Sequence, residues 1–117
     1  MSWLVNAASD EARMQNNIER LVNLKEEVHD LAYFVVASPS QGHEKIKGLV
    51  EDRLVKGRPP VHEALTRALW NENSQKLALD APNRCQGILL EAENVIAIEA
   101  DKEERSLKKL LSEKEDD

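Results

Sequence analysis

Three carboxylates lie close together in the first third of the sequence, in the pentapeptide Glu26-Glu27-Val28-His29-Asp30. If this stretch is helical, Glu26 and Asp30 are one turn apart and Glu27 lies beside them. Carboxylate oxygens are the protein ligands that Mg²⁺ prefers, and a bound Mg²⁺ can support chemistry on phosphate groups. The pattern indicates either part of a metal site or an acidic helix face in contact with water.

This EExxD pattern resembles the first half of the magnesium motif of the all-α nucleoside triphosphate pyrophosphohydrolases. The resemblance implies that the paired carboxylates hold Mg²⁺ together with a downstream ExxD on a second helix. Here the downstream acids Glu51 and Asp52 are adjacent, and the one ExxD runs from Glu113 to Asp116 in the tail. On a helical wheel the three carboxylates also lie opposite the apolar stripe. We therefore expect a solvated acidic face with no catalytic residue, metal ligand or cofactor, and keep a Mg²⁺-dependent hydrolase as an alternative.

The composition predicts one soluble domain. A chain of 117 residues with 41% hydrophobic and 32% charged residues can bury a modest core, and a single helical domain over 1–117 is expected. The net charge of −6 disfavours general binding to nucleic acid, because phosphates repel a net anion. A single cysteine, Cys85, and an apolar segment 1–8 without a basic leader predict a cytoplasmic protein that does not enter membranes.

Apolar periodicity predicts an all-α fold, an irregular four-helix bundle with long first and last helices. Ser9 or Asp10 is expected to cap the first helix, and Ser38-Pro39 to end it. Gly48 is expected to weaken the second helix or to make a close backbone contact, and Gly57 to form its left-handed cap. The first two predicted helices are 9–37 and 43–56, with a turn over 38–42 between them. A third helix is predicted to begin at Pro59-Pro60 and either to break near Asn73 or to continue to Leu79. The fourth is predicted over 82–115, with a frayed acidic tail over 112–117.

Positive charge is concentrated in the middle of this acidic chain. The sequence Lys56-Gly57-Arg58-Pro59 resembles the core of an AT-hook, a basic peptide that enters the minor groove of DNA. A helix, turn and helix could present these charges as one patch. Nucleic-acid binding through Arg53, Lys56, Arg58 and Arg67 is therefore kept as an alternative function.

The far end of the last helix carries apolar residues that three shorter helices cannot easily cover. Leu89, Ile96, Glu103 and Leu110 are spaced by sevens, as in a short coiled coil. We expect a protein partner or a second copy of the chain to bind there, through Leu107, Leu110, Leu111 and Glu103. The alternative is intramolecular docking of a final short helix after a break between 102 and 105. The expected function is that of a small protein–protein interaction module: an adaptor, inhibitor or assembly factor.

Charged residues interrupt both long apolar stripes. Lys25 lies in the stripe of the first helix, and Glu99 and Glu103 lie in that of the last. If these helices are neighbours, within one chain or between two, the three side chains are expected to pair and fix the register of the helices.

Overall fold

The computed structural model describes the backbone of residues 2–70 and 77–115 and the side chains of residues 9–70 and 77–113. These residues form an all-α bundle with long first and last helices, as predicted, and contain no strand. Within the described ranges the chain forms five α-helices rather than the four predicted: α1 (Ser2–Ala37), α2 (Pro39–Leu49), α3 (His62–Leu69), α4 (Leu77–Asp80) and α5 (Pro82–Glu115).

Helix α1 begins at Ser2, so the predicted start at Ser9 is wrong. Ser9 and Asp10 do not act as caps, because segment 1–8 contains neither glycine nor proline to interrupt the helix. The helix ends at Ala37, as predicted. Ser38, which precedes a proline, is non-helical with φ −141° and ψ 77°.

The predicted turn over 38–42 is limited to Ser38, because Pro39 occupies the first turn of α2, where a missing N–H costs nothing. The close backbone contact expected at Gly48 occurs instead at Gly42. A Cβ atom on Gly42 would lie 2.7 Å from Cγ2 of Val35, whereas one on Gly48 would meet no atom within 4 Å. Glycine at position 42 therefore lets α2 pack directly on α1.

Helix α2 continues without a break into a π-helical segment, Val50–Val55, and the chain then turns over residues 56–61. The left-handed residues of this turn are Arg58 (φ 44°) and Val61 (φ 60°), so the predicted left-handed cap at Gly57 is wrong. The guanidinium of Arg20 donates a hydrogen bond to the Gly57 carbonyl and ties it to α1. Helix α3 therefore begins at His62, later than the predicted start at Pro59-Pro60.

Helix α3 ends at Leu69, and Trp70 is non-helical with φ −145°. The question of continuity through Asn73 falls on residues 71–76, outside the described residues. Helix α5 has the predicted bounds and runs through residues 102–105 without the break considered above. The tail is helical as far as Glu115, and residues 116–117 lie outside the described part.

Helices α1 and α5 pack along each other in opposite directions, and His29 on α1 lies beside Glu93 on α5. The chain from Pro39 to Val55 runs back along one side of α1 and turns where it reaches Arg20. The molecule measures 57 × 21 × 18 Å. Each buried hydrophobic residue of the described part falls between Leu21 and Ala100: Leu21, Leu24, Val28, Leu31, Ala32, Val35, Ile46, Leu49, Val50, Leu54, Leu65, Leu69, Ala78, Cys85, Leu89, Ala92, Ile96 and Ala100.

Candidate functional site

Beyond the buried core, α1 and α5 continue side by side as a two-helix arm, which comprises residues 9–20 and 101–113. None of these residues is buried. The short helices stop short of the arm, because the chain turns back at residues 56–61, which Arg20 holds against α1. The arm is about 18 Å long at the standard rise per residue.

The large apolar side chains of the arm are half-buried. With His29 opposite Glu93 in an antiparallel pair, residue 107 lies opposite residue 15, next to Met14. The last helix is thus covered by the extended first helix rather than by a folded-back segment, and the coverage is partial. The half-buried apolar residues of the arm, here called its apolar seam, are Met14, Ile18, Leu107, Leu110 and Leu111.

Glu103 lies at the base of the arm and is half-buried. The predicted pairing of Lys25 with Glu99 and Glu103 does not occur within the described part of the chain, where no ion pair joins them. The contact across the helix pair is instead between His29 and Glu93, with Nδ1 3.0 Å from Oε2. The carboxylate of Glu103 therefore remains without an ion-pair partner among the described residues.

The acidic motif on α1 is divided between solvent and the neighbouring π-helical segment. Glu26 and Asp30 are exposed, whereas Glu27 is half-buried. Oε1 of Glu27 accepts a hydrogen bond from Nη2 of Arg53 at 2.6 Å. One carboxylate of the motif is thus occupied by an arginine.

An open groove of about 470 Å³ runs between α1 and α2 beside this motif. Its apolar floor includes Phe34 and Leu49, and Nζ of Lys45 lies 3.9 Å from the centre of the Phe34 ring. Asp30 and Asp52 stand on the rim. Among the described side chains, however, no three His, Cys, Asp or Glu residues are placed to hold a metal ion.

The predicted basic patch is split into two parts. Arg53 is paired with Glu27, and Nζ of Lys56 lies 3.5 Å from Oδ1 of Asp52. Arg58 and Arg67 share a different groove, at the start of α3. The groove is also lined by Val55, His62, Glu63 and Thr66. Sequence reasoning missed these four residues, because their position depends on where α3 begins.

Cys85 is buried in the core, where burial raises the pKa of its thiol above the ordinary value. A thiol with a raised pKa is a poor nucleophile at neutral pH. Cys85 therefore acts as a small residue of the core.

Comparison of the chain with known protein families, with curated proteins and with solved structures gave no match. Among the described helices, none has the length and apolar character needed to cross a membrane.

Proposed function

We propose that this protein is an interaction module that pairs with a second copy of itself through the two-helix arm. The observation that carries the proposal is where the core ends: among the described side chains of residues 9–20 and 101–113 none is buried, although both helices continue beyond Leu21 and Ala100. A pair of helices without further layers leaves its apolar seam half in water. Two such pairs can cover each other as a four-helix bundle.

The charge of the arm is compatible with self-association. Residues 9–20 contain Asp10, Glu11, Glu19, Arg13 and Arg20, so acidic and basic side chains are nearly balanced there. Residues 101–113 are balanced too, with four acidic and four basic side chains. The excess negative charge of the chain thus lies outside the arm, and two arms can approach without strong repulsion.

Glu103 could form a polar contact between the two copies and so constrain how the two arms align. Glu103 is half-buried, its carboxylate has no ion-pair partner among the described residues, and it can pair with a basic side chain of the second copy. In a two-fold arrangement each contact occurs twice, once in each direction. A repeated ion pair at the base of the arm would fix the register of the two helix pairs.

The experiment is a measurement of mass in solution by sedimentation equilibrium. An interface as short as the arm is below the standard size, so we expect micromolar affinity and would measure from about 1 µM to about 500 µM. The 13.2 kDa chain should approach twice its mass at the upper end. The double substitution Leu110→Ser with Leu111→Ser should keep the chain monomeric throughout, while circular dichroism verifies its helix content.

Ile98→Ser is the matched control. Ile98 lies on the same helix and is 53% exposed, but outside the arm. It should therefore leave the association unchanged. A wild-type chain that stays monomeric at the highest concentration would refute the proposal, as would equal weakening by the arm and control variants.

A further inference from the structure

The groove between α1 and α2 has an apolar floor and is open along one side. Leu31 and Leu49 are buried beneath it, and the ring of Phe34 lies half-buried in it. A second recess of about 220 Å³ continues from this groove along α1 to Arg20, and Glu27 lines both. From Phe34 to Arg20 the two recesses follow α1 for about 20 Å at the standard rise per residue. The surface is therefore long enough for a peptide.

Gly48 lies in this groove and is not needed for packing within the described part of the chain. A Cβ atom at this position would meet no atom within 4 Å, in contrast to one on Gly42, where α2 touches α1. Glycine inside a helix costs about 1 kcal/mol relative to alanine, and no described contact offsets this cost. The missing side chain instead keeps the groove open and lets a partner approach the backbone of α2 closely.

The π-helical segment Val50–Val55 forms the other wall of the groove and is a second, independent indication of binding. Its Asp52 and Arg53 line both recesses. π-Helical turns are rare and occur frequently at functional sites. Arg53 donates to Glu27 at 2.6 Å, so the charges of these two side chains balance each other. The remaining charged residues of the groove therefore decide which partner it attracts.

These remaining charges favour a cationic partner. Asp30 is exposed on one rim and has no ion-pair partner among the described residues. Asp52, on the other rim, has only an exposed contact with Lys56 at 3.5 Å, and such surface pairs contribute little in water. Lys45 extends over the ring of Phe34, with Nζ 3.9 Å from its centre. This contact within the chain indicates that the ring can accept an ammonium group.

We infer that this groove binds an amphipathic helix of a partner protein, with large apolar side chains on one face and lysine or arginine beside them. Its apolar side chains pack on Phe34 and Leu49 above Gly48, which is a common way for a helix to bind in a groove. Its basic side chains pair with Asp30 and Asp52. The same carboxylates and the net charge of −6 disfavour nucleic acid and anionic membrane surfaces. The inference goes beyond the proposed self-association and does not depend on it.

The test is fluorescence anisotropy of a labelled synthetic helix of about 14 residues, with leucine on one face and lysine on the other. The full chain should bind it with a Kd of about 10–100 µM, as expected for a small interface. Gly48→Leu should weaken binding at least about tenfold, because the new side chain fills the groove. This variant should be at least as stable as the wild type, since its Cβ meets no atom within 4 Å and leucine favours the helix.

Gly87→Leu is the matched control. Gly87 lies within α5, outside the groove, and a Cβ atom there also meets no atom within 4 Å. This variant should bind the synthetic helix like the wild type. Asp30→Asn should weaken binding about threefold by removing an opposite charge, and Lys45→Gln should strengthen it about threefold by removing a like charge. A gain in affinity cannot result from a misfolded variant.

Absence of binding by the wild type up to about 500 µM would overturn the inference, as would equal binding by Gly48→Leu. Two altered helices test the chemistry of the partner. A helix with glutamate in place of lysine should not bind, and equal affinity for it would refute the cationic assignment. A helix with alanine in place of leucine should bind at least about tenfold more weakly. Equal affinity for that helix would mean that charge alone attracts it and that the apolar floor is not used.

Discussion

Helices α1 and α5 have the same apolar periodicity along their length, but their two ends are packed very differently. Between Leu21 and Ala100 the seam is covered by α2, the π-helical segment, α3 and α4, and its residues are buried. In the arm no other described helix covers the pair, and Leu107, Leu110 and Leu111 are half-buried. Periodicity therefore determines which face of a helix is apolar, while the length of its neighbours determines how far that face is covered.

The largest expected effect on the free energy of unfolding comes from a comparison of one leucine in the core with one in the arm. Leu89 is 0% exposed, so Leu89→Ala should lower the free energy of unfolding by about 3 kcal/mol through lost burial and a cavity. Leu107→Ala in the arm should lower it by about 1 kcal/mol or less, because that side chain is already partly hydrated. Urea unfolding at low protein concentration measures both values. Equal losses would mean that the arm is packed as firmly as the core.

A second comparison concerns the two glycines of α2. Gly42→Ala places a methyl group 2.7 Å from Cγ2 and 2.8 Å from Cα of Val35, so it should cost about 1–3 kcal/mol. Gly48→Ala meets open space and should stabilise the chain by up to about 1 kcal/mol, because alanine favours the helix. Opposite signs in thermal unfolding would establish that the contact with α1 is tight at Gly42 alone. A neutral Gly42→Ala would contradict this packing.

The smallest expected effect on the free energy of unfolding comes from Cys85, which lies in the buried core. Because burial raises the pKa of its thiol, the unfolded chain loses this proton at lower pH than the folded chain. Stability should therefore be constant below the ordinary thiol pKa and decrease as the pH rises beyond it. Comparison of unfolding at several pH values with Cys85→Ala isolates this contribution, since that variant should lack it.

The same thiol distinguishes the two regions by its reactivity. Native Cys85 should react with iodoacetamide at least about tenfold more slowly than Leu107→Cys in a Cys85→Ala background, because reaction requires an accessible thiolate. Similar rates would show that the core opens as readily as the arm.

The fold class and the last helix were predictable because their signals are local. Pro82 lies at the first position of α5, and no proline follows it to end the helix. The start of α1 was missed because Ser9 offers a cap that the uninterrupted helix does not need. The turn was missed because Arg58 and Val61 are residue types that disfavour positive φ.

The candidate sites were predictable in their residue types but not in their grouping. The sequence places Arg53, Lys56, Arg58 and Arg67 within a short stretch. Which of them carry a carboxylate partner depends on packing: the pair of Arg53 with Glu27 joins elements 26 positions apart. The extent of the arm likewise depends on where the chain turns back, which no single local pattern determines.

The antiparallel arrangement of α1 and α5 also determines how the protein would respond to a pulling force. Ser2 and Glu115 mark the ends of the described helices, and both lie beyond the outer end of the arm. Tension applied between them would separate the two helices one turn at a time, starting at their ends, instead of shearing all their contacts at once. The partly covered turns would open first, and the load would reach Leu21 and Ala100 only after the arm had come apart.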